Sequence, residues 1–317
     1  MLRGILFGFL VLAIASPLRA QFEDAPAGGP RLDEETVQRV TLGMRVEAVG
    51  GPCGSMYGTL AVPIDWPEQE VNLVAEDVSP NVRYEFTQPS PTVKQMVIDA
   101  PALAPGQEAH ALVTYEIRRR KLLPPQDTSV YQLPKKLDRT LKQYLGPSPY
   151  IESRHGKVRA AAKEALAGKT KAWEQVEALY DHAREKVEYK NGPLKGAVRA
   201  LRDGYGDCEE LSSLFIAMCR ASGIPARTVW VPGHCYAEFY LEDDKGKGYW
   251  FPCQPAGTRD FGGIGETRAI LQKGDNFKLP EHGKPVRYVA EYLKAEALPG
   301  AVKPKVKFVR DVIFTGN

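Results

Sequence analysis

The sequence predicts an α+β protein, an N-terminal antiparallel β-sandwich followed by helices packed on a second antiparallel sheet. Three observations predict it. Between Thr41 and Lys121 apolar residues recur at every second position, with prolines and glycines in the gaps. From Thr170 to Gly223 the apolar period is that of a helix. After Gly223-Ile224-Pro225 it returns to that of a strand, first over Ala226 to Val231 and then in a hairpin.

Taken in order, the chain opens with basic Met1-Leu2-Arg3, an apolar run from Ile5 to Ala15, and Leu18-Arg19-Ala20 ending in a small residue. This is the pattern of a secretory signal peptide over residues 1–20, because the apolar run is too short to span a bilayer. The mature protein is therefore expected to be secreted or periplasmic and not membrane-spanning. No cysteine near the cut suggests a lipid anchor. Residues 21–40, rich in Gly, Pro and acidic side chains, read as a flexible leader. The sandwich, of immunoglobulin-like size, is expected over 41–121. Its strands carry the alternating sets Val71/Leu73/Ala75, Val82/Tyr84/Phe86 and Val113/Tyr115/Ile117. The basic cluster Arg118-Arg119-Arg120-Lys121 reads as a solvated strand end. A proline-rich linker covers 122–149, and 150–317 forms the second domain with a C-terminal extension.

Composition excludes some partners. The formal net charge of +3 over 317 residues falls by two when Arg3 and Arg19 leave with the signal peptide. A near-neutral chain argues against nucleic acid. Five cysteines are too few for a disulfide scaffold of this size, and in an oxidising compartment their odd number leaves a free thiol. The oligomeric state is not legible.

In the second domain, Thr170 can cap a helix that carries Trp173, Val176, Tyr180, Ala183 and Val187 on one stripe. Pro193 at a first helical position opens another, with Leu194, Ala197, Val198 and Leu201, ending at Gly204. Then comes Gly204-Tyr205-Gly206-Asp207-Cys208-Glu209-Glu210, followed by Leu211, Leu214, Phe215 and Met218 at helix spacing. Asp207 with Glu210 three residues later is a carboxylate N-cap with its capping-box partner, so Cys208 opens the helix. A thiol there faces the partly positive end of the helix dipole, which favours the thiolate. Asp207, Glu209 and Glu210 oppose that effect, so a basic neighbour is expected to complete the activation. Most such cysteines are merely small buried residues. The nearby His234 and the glycines at 204 and 206 favour a nucleophile.

His234 to Leu241 and Tyr249 to Gln254 form the hairpin, around the charged turn 242–248. A turn centred on residue 244 or 245 sets Gln254 opposite His234 or Tyr236, and either register puts His234 and Gln254 on one face. Cys235 and Cys253 fall on the opposite face, where a cross-strand disulfide is open to them. That alternation argues against zinc on Cys208, His234, Cys235 and Cys253, since adjacent strand residues point apart. No motif calls for a metal or an organic cofactor, and no calcium loop is recognisable. His110, His155, His182 and His282 read as surface residues. The segment from Asp260 to Asn276 reads as a loop wrapping the site. Tyr288 to Leu293 and Val306 to Phe314 read as final strands without a catalytic group.

Gly206-Asp207-Cys208 at a helix start, Cys219 to Arg227, His234 to Tyr240, and Trp250-Phe251-Pro252-Cys253-Gln254-Pro255 together resemble the transglutaminase-like core of bacterial exported proteins. The resemblance covers about residues 150–260 and implies a papain-like arrangement of helices against an antiparallel sheet. It further implies acyl transfer at amide or ester carbonyls, with Cys208 as nucleophile, His234 as general base and Gln254 as third member. The family carries Asp at that third position. An amide can orient the imidazole but brings no charge; Glu238, also on the His234 face, is a candidate substitute carboxylate, though its plainer reading is a residue facing solvent or a structural partner. The leading expectation is an exported cysteine peptidase or amidase acting on a protein or peptide substrate, the cell envelope being one source. Two alternatives stand beside it: a degenerate module binding peptide or glycan, and a transferase cross-linking protein glutamines.

Overall fold

The computed structural model describes residues 28–297 and 299–316. The signal peptide expected over 1–20 and the first part of the leader lie outside the described residues. The first strand, β1 (Arg31–Glu47), begins inside the stretch read as a leader. Its acidic residues misled that reading, because they are the complement of the basic cluster on the strand alongside. Glu35 accepts hydrogen bonds from Arg118 at 3.2 Å and Arg120 at 3.1 Å, and Glu34 pairs with Lys121 at 2.6 Å. The cluster is also not wholly solvated. Arg119 is fully buried and donates to the hydroxyl of Tyr236 at 3.2 Å.

After β1 come β2 (Met56–Val62), β3 (Gln69–Val78), β4 (Arg83–Ser90), β5 (Val93–Ala100) and β6 (Glu108–Leu123). Period-two alternation sends Val40, Leu42, Met44 and Val46 of β1 and Val113, Tyr115 and Ile117 of β6 into one core with Met96 and Ile98 of β5. The stretch read as a linker carries α1 (Arg139–Lys142) and packs Tyr131 into the core of the next unit.

That unit contains α2 (Gly156–Ala165), α3 (Ala172–Lys186), β7 (Glu188–Tyr189), α4 (Ala197–Asp203), β8 (Tyr205–Gly206) and α5 (Cys208–Ala221). The strands β9 (Ala226–Val231), β10 (His234–Glu242), β11 (Gly248–Gln254), β12 (Asp260–Phe261) and β13 (Gln272–Lys273) follow. Helix starts differ from the sequence reading at two places. Lys171, not Thr170, is the N-cap of α3, and it makes no side-chain cap. α4 starts after Gly196, whose φ of 84° breaks the helix that Pro193 would have opened. His182 is buried on α3, not a surface residue, and burial lowers its pKa. Trp173, Val176 and Tyr180 of α3, Leu211, Leu214, Phe215 and Met218 of α5, and Phe239 and Phe251 of the sheet fill one core. Each such side chain contributes about 1.5–3 kcal/mol by leaving water.

The last strands, β14 (Tyr292–Ala295) and β15 (Lys305–Gly316), return to the sandwich rather than extend the second unit. The sandwich sheets run β15-β1-β6-β3 and β14-β2-β5-β4, and the third sheet runs β12-β11-β10-β9-β13. The chain is thus an α+β protein in which the C-terminal stretch completes the N-terminal fold. The helices cover one face of the five-stranded sheet. The other face meets the sandwich through Leu122, Val229, Val231, Tyr236, Ile264 and Ile270. Buried Lys273 crosses this boundary, reaching Glu68 at 2.8 Å and Glu238 at 2.6 Å. Among the described residues no helix is long and apolar enough to cross a membrane.

Candidate active site

The entry into α5 follows from local chemistry. Gly204 takes a left-handed φ of 74° that closes α4. Gly206 lies so close to Glu210 that a Cβ on it would sit 2.4 Å from the Cβ of Glu210. The capping box forms as expected. Asp207 accepts from the N–H of Glu209 at 2.8 Å, and Glu210 accepts from the N–H of Asp207 at 3.2 Å and of Lys195 at 2.9 Å. Cys208 therefore stands at the first helical position, half-buried, with its sulfur at the positive end of the dipole.

The hairpin brings up the partners. Ala237 lies opposite Cys253, which continues to Tyr236 opposite Gln254, the second of the two registers that the turn allows. His234 and Gln254 are diagonal neighbours on one face, and His234 Nε2 lies 2.9 Å from Gln254 Oε1. With Nε2 engaged by the amide, Nδ1 is left for the sulfur. The backbone carbonyl of Gln254 is itself fixed by the hydroxyl of Tyr180 at 2.8 Å and by Arg184 at 3.3 Å, both from α3.

Several groups act on the thiol together. The side chain of Cys235 beside the sulfur has the largest effect. Burial opposes it, and His234 and the N–H of Cys235 add to it, so the Cys208 thiol falls to about 4. Burial alone would lower the pKa of His234. Its hydrogen bonds to Cys208 and Gln254 and the charge on the sulfur outweigh that, and the imidazole is raised. The two shifts describe a thiolate beside an imidazolium.

All five cysteines are free. The pairing of Cys235 with Cys253 that strand alternation left open does not form, because the register sets Cys253 against Ala237 and leaves Cys235 beyond it, next to Cys208. Glu238 is no substitute third member. It is buried against Arg227 at 2.7 Å and Lys273 at 2.6 Å. Burial would raise its carboxyl, but those two cations hold it well below the usual range. Among the described residues no three His, Cys, Asp or Glu side chains are grouped to hold a metal ion.

Sequence reasoning missed three charged residues near the pair. Arg287, buried in the C-terminal stretch, lies 2.8 Å from Glu209 and so balances one acid beside the sulfur. Arg268 and Glu266 come from the loop between β12 and β13, and their charges act on Cys208 and His234 respectively. No local pattern marks any of them, since each lies in an irregular segment. Tyr189 on β7 is exposed and pairs in register with Gly206, two residues before Cys208.

A cysteine at a helix start facing a histidine on an antiparallel sheet, with an amide behind it, is the arrangement of a papain-like core. Residues 159–255 match the family model of the transglutaminase-like superfamily. Among solved structures, a candidate cysteine protease from Cytophaga hutchinsonii is 17% identical, with a TM-score of 0.58 over 90% of this chain and 94% of that one. At that identity the likeness shows the fold. A candidate protease from Parabacteroides distasonis is 16% identical over 70% of this chain and 47% of that one, with a TM-score of 0.28. No curated protein matches the sequence.

Proposed function

We propose that this chain is an exported cysteine hydrolase, a peptidase or amidase, that passes acyl groups from an amide or ester to water through a thioester on Cys208. The observation that carries the proposal is Cys208, half-buried at the positive end of α5, beside a His234 ring whose Nε2 lies 2.9 Å from Gln254 Oε1. The thiolate attacks the carbonyl carbon, and the oxyanion forms at the N–H of Cys208, one of the donors that a helix start leaves without an intrahelical partner. His234 then gives its proton to the departing amine and takes one from the attacking water. Gln254 holds the ring in the tautomer that presents Nδ1 to the sulfur. The signal-peptide pattern at residues 1–20 supports an exported protein.

Incubation of the mature protein with nitrophenyl acetate, followed by intact mass spectrometry, tests this reading. The expected result is one added acetyl group on Cys208, absent in Cys208→Ala and strongly reduced in His234→Ala. Added primary amine separates hydrolysis from transfer by whether acetyl appears on the amine. A protein that never acquires acetyl at Cys208 overturns the proposal in favour of a binding module.

A further inference from the structure

The imidazole of His234 sits directly after a tight turn, Pro232-Gly233, that joins β9 to β10, with Gly233 at a φ of 71°. What holds that turn comes from elsewhere in the chain. Arg268 donates to the carbonyl of Pro232 at 2.8 Å. Its guanidinium is itself clamped by Glu266, at 2.9 Å from Nε to Oε1 and 2.5 Å from Nη2 to Oε2. The residues on either side of Arg268 are gripped in turn by Gln38 of β1, which is fully buried. Its amide donates to the carbonyl of Thr267 at 2.7 Å and accepts from the N–H of Ala269 at 3.1 Å. Gln69 of β3 repeats the device one residue later. It accepts from the N–H of Ile270 at 2.6 Å and donates to its carbonyl at 3.0 Å.

We infer that Arg268 is a positioning residue for His234, and that the β-sandwich, through Gln38, sets the placement of the imidazole. A buried amide paired on both its donor and its acceptor fixes a loop as a strand would, and losing it leaves two buried backbone groups unpaired. The route is continuous: Gln38, the backbone on both sides of Arg268, the guanidinium, the Pro232 carbonyl, then His234. The charged and titratable groups facing His234 are Cys208 from α5, Cys235 on its own strand, and Glu266 and Arg268 from the loop. Arg268 also bears a charge that acts on the thiolate, so its test must separate placement from charge. This inference rests on reading Cys208 and His234 as a catalytic pair.

The experiment measures the rate of Cys208 alkylation by iodoacetamide in the full mature chain at roughly pH 6, where an unassisted thiol is almost wholly protonated. Melting temperatures are recorded for each variant. Arg268→Gln is expected to slow the reaction by about 10- to 100-fold, the order of loss that a misplacement of about 1 Å produces. Combined with His234→Ala it should slow the reaction no further than His234→Ala alone. Gln38→Ala, which removes no charge, should reproduce the loss in a protein that still melts cooperatively. Additive losses in the double variant, or a full rate in folded Gln38→Ala beside a slowed Arg268→Gln, would show that Arg268 acts by charge and overturn the inference. Arg268 is more than a third exposed, so its variant should fold even where Gln38→Ala does not. A wild-type rate left unchanged by His234→Ala would instead sink the catalytic pair itself.

Discussion

Gln254 replaces the carboxylate expected at the third position, and its consequence can be worked out from the protonation of its partner. The amide oxygen accepts from the ring and so favours the charged imidazole, without adding the full charge of a carboxylate. Removing it in Gln254→Ala lets the opposing effect of burial grow, so the pKa of His234 falls. The thiolate then loses part of its cation and the pKa of Cys208 rises. The window in which thiolate and imidazolium coexist narrows from both sides. Gln254→Asp should widen it, chiefly on the basic limb. A pH profile of Cys208 alkylation checks both signs, and a profile identical in the three proteins would show that Gln254 does not orient the ring. Cys208, His234 and Gln254 were legible in the sequence because each belongs to an element with a local signature. One opens a capped helix, and the other two flank a hairpin whose turn length limits the register.

At the scale of elements, the decisive piece is α5, buried from Glu210 to Arg220 and packed on β10. Its first turn depends on Gly206 as much as on the capping residues. In Gly206→Ala the new methyl would meet Glu210, whose carboxylate holds the N–H groups of Asp207 and Lys195. The expected cost is about 1–3 kcal/mol in denaturant unfolding, as for other overpacked sites, together with slower Cys208 alkylation. Unchanged stability would mean that the helix start yields more easily than its packing suggests. The capping box, the α5 pattern and the β9 boundaries could be read from the sequence because they rest on neighbours within a few residues. The starts of α3 and α4 could not. A plausible cap at Thr170 and a plausible first-turn proline at Pro193 lost to the backbone turns at Lys171 and Gly196. α2, short and capped by His155, buries only Val158, Ala161 and Ala162, small side chains that mark a helix face weakly.

At the scale of the whole molecule, the sandwich and the transglutaminase-like core are not independent pieces. The strands β14 and β15 bring the end of the chain back to complete the sandwich. Buried Lys273 ties Glu68 of the sandwich side to Glu238 of the five-stranded sheet. Such long-range pairing was hidden in the sequence, where residues 31–40 read as leader and Lys273 as part of a loop wrapping the site. Only tertiary contact reveals that Glu35 answers Arg120 and that a lysine lies in the interior. Lys273→Met leaves Glu68 without its cation and should cost about 3–5 kcal/mol, the penalty for breaking a buried ion pair from one side. Equilibrium unfolding measures it, and a loss under 1 kcal/mol, the range of surface pairs, would contradict this role. The architecture serves to set one sulfur against one imidazole, and the ultraviolet absorbance of the thiolate tests that most directly. Titrated as the difference between wild type and Cys208→Ala, it should rise in a single step near pH 4, where the surroundings of Cys208 place its thiol. A step near pH 8.5, roughly the value of an unperturbed cysteine, would contradict the account.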